Sequence, residues 1–430
     1  EAANGVPVVN IQNPNSKGVS QNFYNDFNVG SKGVVLNNSQ QVTQTQLGGY
    51  IEGNPNLHNG SASLILNEVI GQNPSNLGGY IEVGGARADV VVANPNGISC
   101  NGCGFINTNH ATLTTGKSIM EGGELQGFDV QGGRIGIGEN GLNGSNTDRF
   151  DLIARSVKVA GELHADSLNI VTGQQRVDRD TLATSNETTG TNKPGFAIDS
   201  SALGGMYANR IRLIANEEGV GVKLDAPVAA QNGDMVLSAQ GNVVFADASA
   251  TENMQLASAG NITLGGRTVA GETMALASQA LAIQSEQVSA RNLTVDSGET
   301  QVNEGSALYA TETLTVNGDS LENAGEVAGK AVSLTIAAQV ENQGDILADE
   351  SMAVTAGSVA NSGTIRTGES VQVEAEQQIV NAGEIIAGEN AVVESASGDI
   401  TNNGLVTAEE NLSISCLLYT SDAADEEDSV

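Results

Sequence analysis

Cys100 and Cys103 are the residues of this sequence whose type and spacing first suggest chemistry. A Cys-x-x-Cys pair forms a local disulfide, stays reduced, or exchanges electrons when a helix N-terminus depresses one thiol's pKa. Asn and Gly surround this pair in a β context, which favours a structural disulfide, leaves a reduced pair as the alternative and disfavours redox catalysis. So short a clip closes little loop entropy and sits at the low end of the ~0 to 5 kcal/mol range for disulfides. Cys416 is left over. His58, His110 and His164 lie far apart without metal-ligand spacing, so neither a metal nor a cofactor is expected. Gly132-Gly133-Arg134-Ile135-Gly136-Ile137-Gly138 imitates a phosphate-binding loop, yet no helix-forming stretch follows it to supply a positive dipole end. The acidic residues of the C-terminal half sit beside Gly at turns, as in Ala387-Gly388-Glu389, and read as solvated edges. A polysaccharide-cleaving enzyme would need carboxylates clustered in a cleft, so no enzyme is expected.

Immediately before the cysteines stands Asn94-Pro95-Asn96-Gly97-Ile98, entered from the apolar run Val90-Val91-Val92-Ala93. Pro95 fixes its own φ and denies Asn94 the α region, while Asn96-Gly97 supplies residues that tolerate positive φ. The stretch reads as strand, turn, strand. Asn54-Pro55-Asn56-Leu57 echoes it upstream.

The elements that must carry these turns are short strands. The 430 residues include 53 Gly, 7 Pro, no Trp and 3% aromatics, which argues against a core built on large rings and for many small β-branched and Ala side chains. Eighteen basic residues against 51 acidic give a net charge of -33, which repels nucleic acid and anionic lipid. No run of eighteen apolar residues is present to span a membrane as a helix. The start, Glu1-Ala2-Ala3-Asn4-Gly5, fits the mature end left by a small-residue cleavage site. Leu47-Gly48-Gly49-Tyr50-Ile51-Glu52 recurs as Leu77-Gly78-Gly79-Tyr80-Ile81-Glu82 and suggests two stacked equivalents. Residues 174–195 are polar and read as a projecting loop.

The clearest periodicity begins near residue 232. Pairs of alternating apolar residues recur every 18 to 21 residues: Met235 with Leu237, Met254 with Leu256, Met274 with Leu276, and onward through Val371 with Val373 to Leu412 with Ile414. In phase with them runs Asn-x-Gly, beginning at Asn303, Asn323, Asn342, Asn361, Asn381 and Asn402. Asn and Gly accept left-handed geometry, and stacked Asn amides can bond from coil to coil. Helical solenoids need a 3.6 period and leucine-rich repeats a Leu-x-x-Leu-x-Leu signature, and neither is present. The expected fold is all-β, a right-handed parallel β-helix with inward columns of Val, Ile, Leu, Ala and Met. Residues 1–45 are a candidate cap over its first coil.

These motifs carry a specific resemblance. Gly18-Val19-Ser20 with Tyr24-Asn25-Asp26-Phe27-Asn28-Val29, the two Asn-Pro-Asn turns, Cys100-x-x-Cys103-Gly104-Phe105-Ile106-Asn107, Phe196-Ala197-Ile198-Asp199 and Ala202-Leu203-Gly204-Gly205-Met206-Tyr207-Ala208 resemble the secretion domain of two-partner secretion exoproteins. That group comprises filamentous haemagglutinins, haemolysins and contact-dependent inhibition toxins. The resemblance implies a β-helix with an N-terminal cap and extra-helical strands. It implies residues 1–225 as secretion domain, 226–415 as haemagglutinin-type repeats and 416–430 as a foreign or disordered tail. It further implies an address read in the periplasm by POTRA domains of a dedicated outer-membrane transporter, which threads the unfolded chain to the surface of a Gram-negative cell. Asn54, Pro55, Asn56 and Leu57, with Asn94, Pro95, Asn96, Gly97 and Ile98, would then be recognised directly or shape the fold. The full-length protein would carry an adhesin, haemolysin or toxin, with a cell-surface receptor as a further partner and the chain itself a monomer. An adhesive rod that binds glycan or protein along its length is the alternative.

Overall fold

The computed structural model describes residues 1–188 and 190–416, and every regular element among them is a β-strand. Contacts divide the chain into two units, residues 1–273 with 277–279, and residues 274–276 with 280–430.

In the first unit the coils are three-sided. One column of parallel strands runs Val34–Asn38, Tyr80–Gly85, Cys103–Ile106, Leu142–Gly144 and Leu163–Ala165. A second runs Val19–Tyr24, Leu64–Val69, Ala88–Ala93, Thr108–Thr114, Arg149–Ala154, Ser167–Thr172 and Arg210–Ala215. The third runs Ser75–Leu77, Ile98–Cys100, Arg134–Ile137 and Ser156–Val159. Arg134–Ile137 is thus a coil strand in the Gly-rich stretch. Backbone donors and acceptors are satisfied by the neighbouring coils.

Side chains facing inward stack in register. Ile65, Val90, Ala111, Phe150, Leu168, Ile211, Met235 and Met254 succeed one another, and all are buried. Full burial of an aliphatic side chain of this kind contributes about 1.5 to 3 kcal/mol. In the second unit the repeat pairs align residue for residue: Leu293, Leu314, Val332, Met352, Val371, Ala391 and Leu412 form one column, and Val295, Val316, Leu334, Val354, Val373, Val393 and Ile414 the next.

The Asn column is a hydrogen-bonded ladder. Asn323 Nδ2 donates to Asn342 Oδ1 at 2.8 Å, and Asn342 to Asn361, Asn361 to Asn381 and Asn381 to Asn402 at 2.7 Å each. Asn303 does not join it, because Val302 holds the position in register with Asn323. The glycines also differ from expectation. Only Gly305 has positive φ, at 76°, whereas Gly325, Gly344, Gly363, Gly383 and Gly404 do not. A Cβ on any of these five would collide with the backbone of the coil below, as Gly363 would with the Gly344 carbonyl. Close stacking of the turns, not left-handed geometry, demands glycine here.

A four-stranded antiparallel sheet lies outside the coils, in the order Lys117–Glu121, Glu124–Val130, Gln174–Asp178, Thr184–Thr188. The expected loop over 174–195 therefore supplies two of its strands. Phe128, Val130 and Val177 cover outward-facing Leu66, Val91, Ile153 and Val171 of the second column. Coil strands buried on both faces read as continuous apolar runs, which explains Val90-Val91-Val92-Ala93.

Two further expectations are corrected. The Leu-Gly-Gly-Tyr-Ile-Glu copies are not stacked equivalents: Gly49–Ile51 pairs antiparallel with Thr43–Thr45 in a separate hairpin, while Tyr80–Gly85 is a coil strand. The copies instead meet, because the Glu82 carboxylate accepts the backbone N–H groups of Gln46 and Leu47 at 2.6 and 2.7 Å. Within residues 1–45, Val8–Asn10, Val19–Tyr24 and Val34–Asn38 already belong to the parallel stack, so this segment is coil as well as cover. Ala2 and Val6 pack with Val35 and Ile51 at that end. Cys416 closes the strand Asn411–Cys416 opposite Ser395 and is exposed. The rest of the expected tail, residues 417–430, lies outside the described residues.

Candidate functional site

The two Asn-Pro-Asn turns are built alike. Each follows a strand, and Pro at the second position holds the first Asn out of helix and in the turn. Asn94 is fully buried. Its Nδ2 donates to the Asn73 carbonyl at 3.0 Å and to Ser75 Oγ at 2.9 Å in the preceding coil, while its Oδ1 accepts the Asn96 backbone N–H at 3.0 Å. Gly97 N–H closes the turn on the Asn94 carbonyl at 3.1 Å, and Gly97 takes φ 118°, a conformation open to Gly. Ile98 then enters the core.

Asn54 repeats this arrangement. It is buried, donates to the Ile11 and Asn37 carbonyls at 2.9 Å each and accepts the Asn56 N–H at 2.9 Å. Leu57 is buried behind it. In both motifs the first Asn fastens one coil to its neighbour, and only the following Pro and Asn reach the surface: Pro55 is exposed and Asn56 half-buried, Pro95 half-buried and Asn96 exposed.

Cys100 ends one coil strand and Cys103 begins the next, so their disulfide spans a corner of the coil, with Cα atoms 5.4 Å apart. Gly102, at φ 83°, makes the bend. Both cysteines are at most 1% exposed, and burial shields the pair from an attacking thiolate.

The three histidines stay apart. His58 N–H bonds Asn13 Oδ1 at 2.9 Å. His164 pairs with Glu162 at 3.0 Å and stacks on Tyr207, ring centroids 5.3 Å apart. His110 belongs to a network that sequence spacing did not reveal. Its Nε2 lies 2.6 Å from Asp151 Oδ2, and Asp151 also receives Arg149 Nε at 3.0 Å and Asn169 Nδ2 at 2.8 Å. Burial alone raises the Asp151 carboxyl, but hydrogen bonds and charge from His110 and Arg149 outweigh it and hold the group below its ordinary value. Arg149 reaches onward to the carbonyls of Asp180 at 2.7 Å and Arg179 at 3.0 Å, which ties the antiparallel sheet to the coils. Arg155 and the fully enclosed Glu217 form a second buried pair at 2.7 Å. No cluster of three or more metal-ligating side chains is present among the described residues. The network's only sequence signal is polar residues breaking apolar coil strands, Asp151 in Arg149–Ala154 and Asn169 in Ser167–Thr172.

Comparison with known proteins bears on this geometry. A family model described as the TPS secretion domain matches residues 1–245. The chain is 47% identical over 282 residues to the 16S rRNA endonuclease CdiA of Enterobacter cloacae subsp. cloacae, covering 62% of this chain and 8% of that protein. It is 41% identical over 341 residues to a tRNA nuclease CdiA of Escherichia coli, covering 78% and 10%. The chain therefore spans about a tenth of the length of the curated relatives it matches. Among solved structures, the filamentous hemagglutinin secretion domain shares 33% identity with a TM-score of 0.51, over 70% of this chain and 92% of the other.

Proposed function

This chain belongs to the two-partner secretion family, as a TPS secretion domain followed by further coils, and we propose from that premise that it is the address by which a larger exoprotein is handed to its own outer-membrane transporter. Two-partner secretion exoproteins are exported through the outer membrane to the cell surface of Gram-negative bacteria, and the TPS domain implies such a transporter as partner. The match over residues 1–245 carries the reading. The address ends near residue 225, residues 226–415 are haemagglutinin-type repeats, and POTRA domains of the transporter read the address in the periplasm. The whole protein bears a toxin beyond these coils, in line with the names of two relatives, Toxin CdiA and tRNA nuclease CdiA.

Within that role Asn54 and Asn94 act through the fold. Their amides are buried and fully engaged with neighbouring coils, so no partner meets them in the folded domain. The test is co-expression with the cognate transporter, comparing wild type, a deletion of residues 1–245, and Asn54→Ala and Asn94→Ala for release into the medium. Release of the wild type alone is expected. Release of the deletion variant at the wild-type level overturns the address role.

A further inference from the structure

The first strand column carries on its outer face a row of side chains for which export has no use. Tyr80, Gly104, Asn143, His164 and Tyr207 follow one another in register from coil to coil. Cys103, Leu142, Leu163 and Met206, each one position earlier in its strand, are buried, so alternation turns the row outward. Gly104 lets Tyr80 lie along the sheet, because the Tyr80 ring occupies the space where a Cβ at 104 would stand. Asn143 Nδ2 fixes that ring by donating to Tyr80 Oη at 3.0 Å. On the far side of Asn143, His164 stacks on Tyr207, with ring centroids 5.3 Å and planes 19° apart. Glu162 Oε2, 3.0 Å from His164 Nε2, holds the stack in place. Between Tyr80 and His164 opens a depression of about 440 Å3, bordered by Glu139, Asn140, Ser145 and Glu162. Neither Lys nor Arg lines it among the described residues.

We propose that this row is a glycan-binding site, which takes an extended chain of uncharged pyranose sugars. Such a ligand meets each group with what it needs: C–H faces for the rings of Tyr80 and His164, and hydroxyls that donate to the Glu139 and Glu162 carboxylates and accept from the Asn140 amide. Anionic sugars are excluded. Two carboxylates border the depression, and the chain as a whole carries a charge of -33, so a sialic acid or a phosphate is repelled. A cationic peptide matches less well, because Glu162 is already engaged by His164 and the Asn140 amide offers N–H donors that a cation cannot use. The row is also long. From Tyr80 to Tyr207 it climbs four coils, roughly 19 Å at about 4.8 Å each, the reach of a tetrasaccharide. Residues 80–207 lie within the secretion domain, which reaches the cell surface with the rest of the exoprotein, so the same domain that serves as address also holds saccharide there.

Cellotetraose, maltotetraose and the tetramer of N-acetylglucosamine are the probes, each titrated into the full folded chain by calorimetry and by tyrosine fluorescence, which no Trp masks. At least one is expected to bind with a dissociation constant of about 1 mM or below. His164→Ala, at an exposed position, and Tyr80→Ala are each expected to weaken it about tenfold. Tyr80→Phe keeps the ring and loses only the bond from Asn143, so it should bind nearly as the wild type does. Tyr50→Ala, 72% exposed on the separate hairpin, should leave binding unchanged. Absence of saturable binding by all three probes overturns the proposal, as does binding that survives both His164→Ala and Tyr80→Ala. Tetralysine bound in place of the sugars, and released by salt, would also overturn it and assign the row to a cationic peptide through cation–π contact. Each of these results leaves the address role to the secretion assay above.

Discussion

Replacing Asn94 by Ala removes one side chain and leaves three groups without a partner. Ser75 Oγ is fully enclosed and loses the donor at 2.9 Å, so it incurs the whole cost of an unsatisfied buried group, about 1 to 3 kcal/mol. The Asn73 carbonyl and the Asn96 N–H belong to exposed residues, where water replaces part of what is lost, and each adds about 0.5 to 1 kcal/mol. The sum is about 3 kcal/mol, or roughly a hundredfold in the local opening constant at 1.4 kcal/mol per tenfold. Stacked coils open locally, so the measurement is amide exchange at residues 75–77 and 94–98 together with the denaturant midpoint. Ser75→Ala supplies the control. Because it removes the stranded hydroxyl, the double variant Asn94→Ala with Ser75→Ala should lose less than the sum of the single losses, with a coupling of about 1 kcal/mol. Unchanged exchange and midpoint in Asn94→Ala, with secretion abolished, would refute the fold-based account and assign Asn94 to direct recognition.

Three further outcomes are expected. Gly363→Ala drives a methyl into the Gly344 carbonyl and should cost about 1 to 3 kcal/mol, with exchange protection lost around residues 342–345; retained protection would show that the turns have room to separate. The double substitution Cys100→Ser with Cys103→Ser removes a four-residue loop constraint worth about 2 kcal/mol by chain entropy, read as a lower denaturant midpoint, and mass measurement should show the wild-type pair gaining two hydrogens on reduction. Asp151 has a native pKa below its ordinary value, so its contribution is complete above the unfolded value of about 3.9 and is lost as pH falls through the native one. Wild type should therefore release the 174–188 strands below about pH 4, whereas Asp151→Asn should show weaker docking at neutral pH and no such acid step.

The sequence was most readable where each strand has one buried face. For Met235 with Met254, and again from Leu293 to Leu412, alternation and the 18-to-21-residue spacing identify column partners that the structure pairs one to one, because a single-residue slip would turn Met352 and Val354 outward. It was less readable where an element depends on what covers it. Val90-Val91-Val92-Ala93 is continuous because the antiparallel sheet buries its outer face, and that sheet's polar half, Gln174–Asp178 and Thr184–Thr188, carries little apolar pattern of its own. The Tyr-Ile-Glu copies diverged for a related reason: three residues specify extension, but the partner strand decides between hairpin and coil. For the candidate site, the turn chemistry of Asn94 and the Cys100 clip were local and legible. The acceptors that hold Asn94, at residues 73 and 75, were not, since they are neighbours only through the height of one coil. The same holds for Asp151 and Asn169, 18 positions apart.

The Asn ladder has a genetic consequence. From Asn342 to Asn381 every coil shows its neighbours the same two contact surfaces: an amide that accepts from the previous turn and donates to the next, and a glycine flat enough to be stacked upon. An in-frame duplication or loss of one such segment joins surfaces that already match, whichever copy is involved. Unequal recombination between repeats can therefore lengthen or shorten a gene of this kind without a compensating mutation, and the number of coils becomes a trait that selection can adjust freely while the sequence of each coil stays nearly fixed.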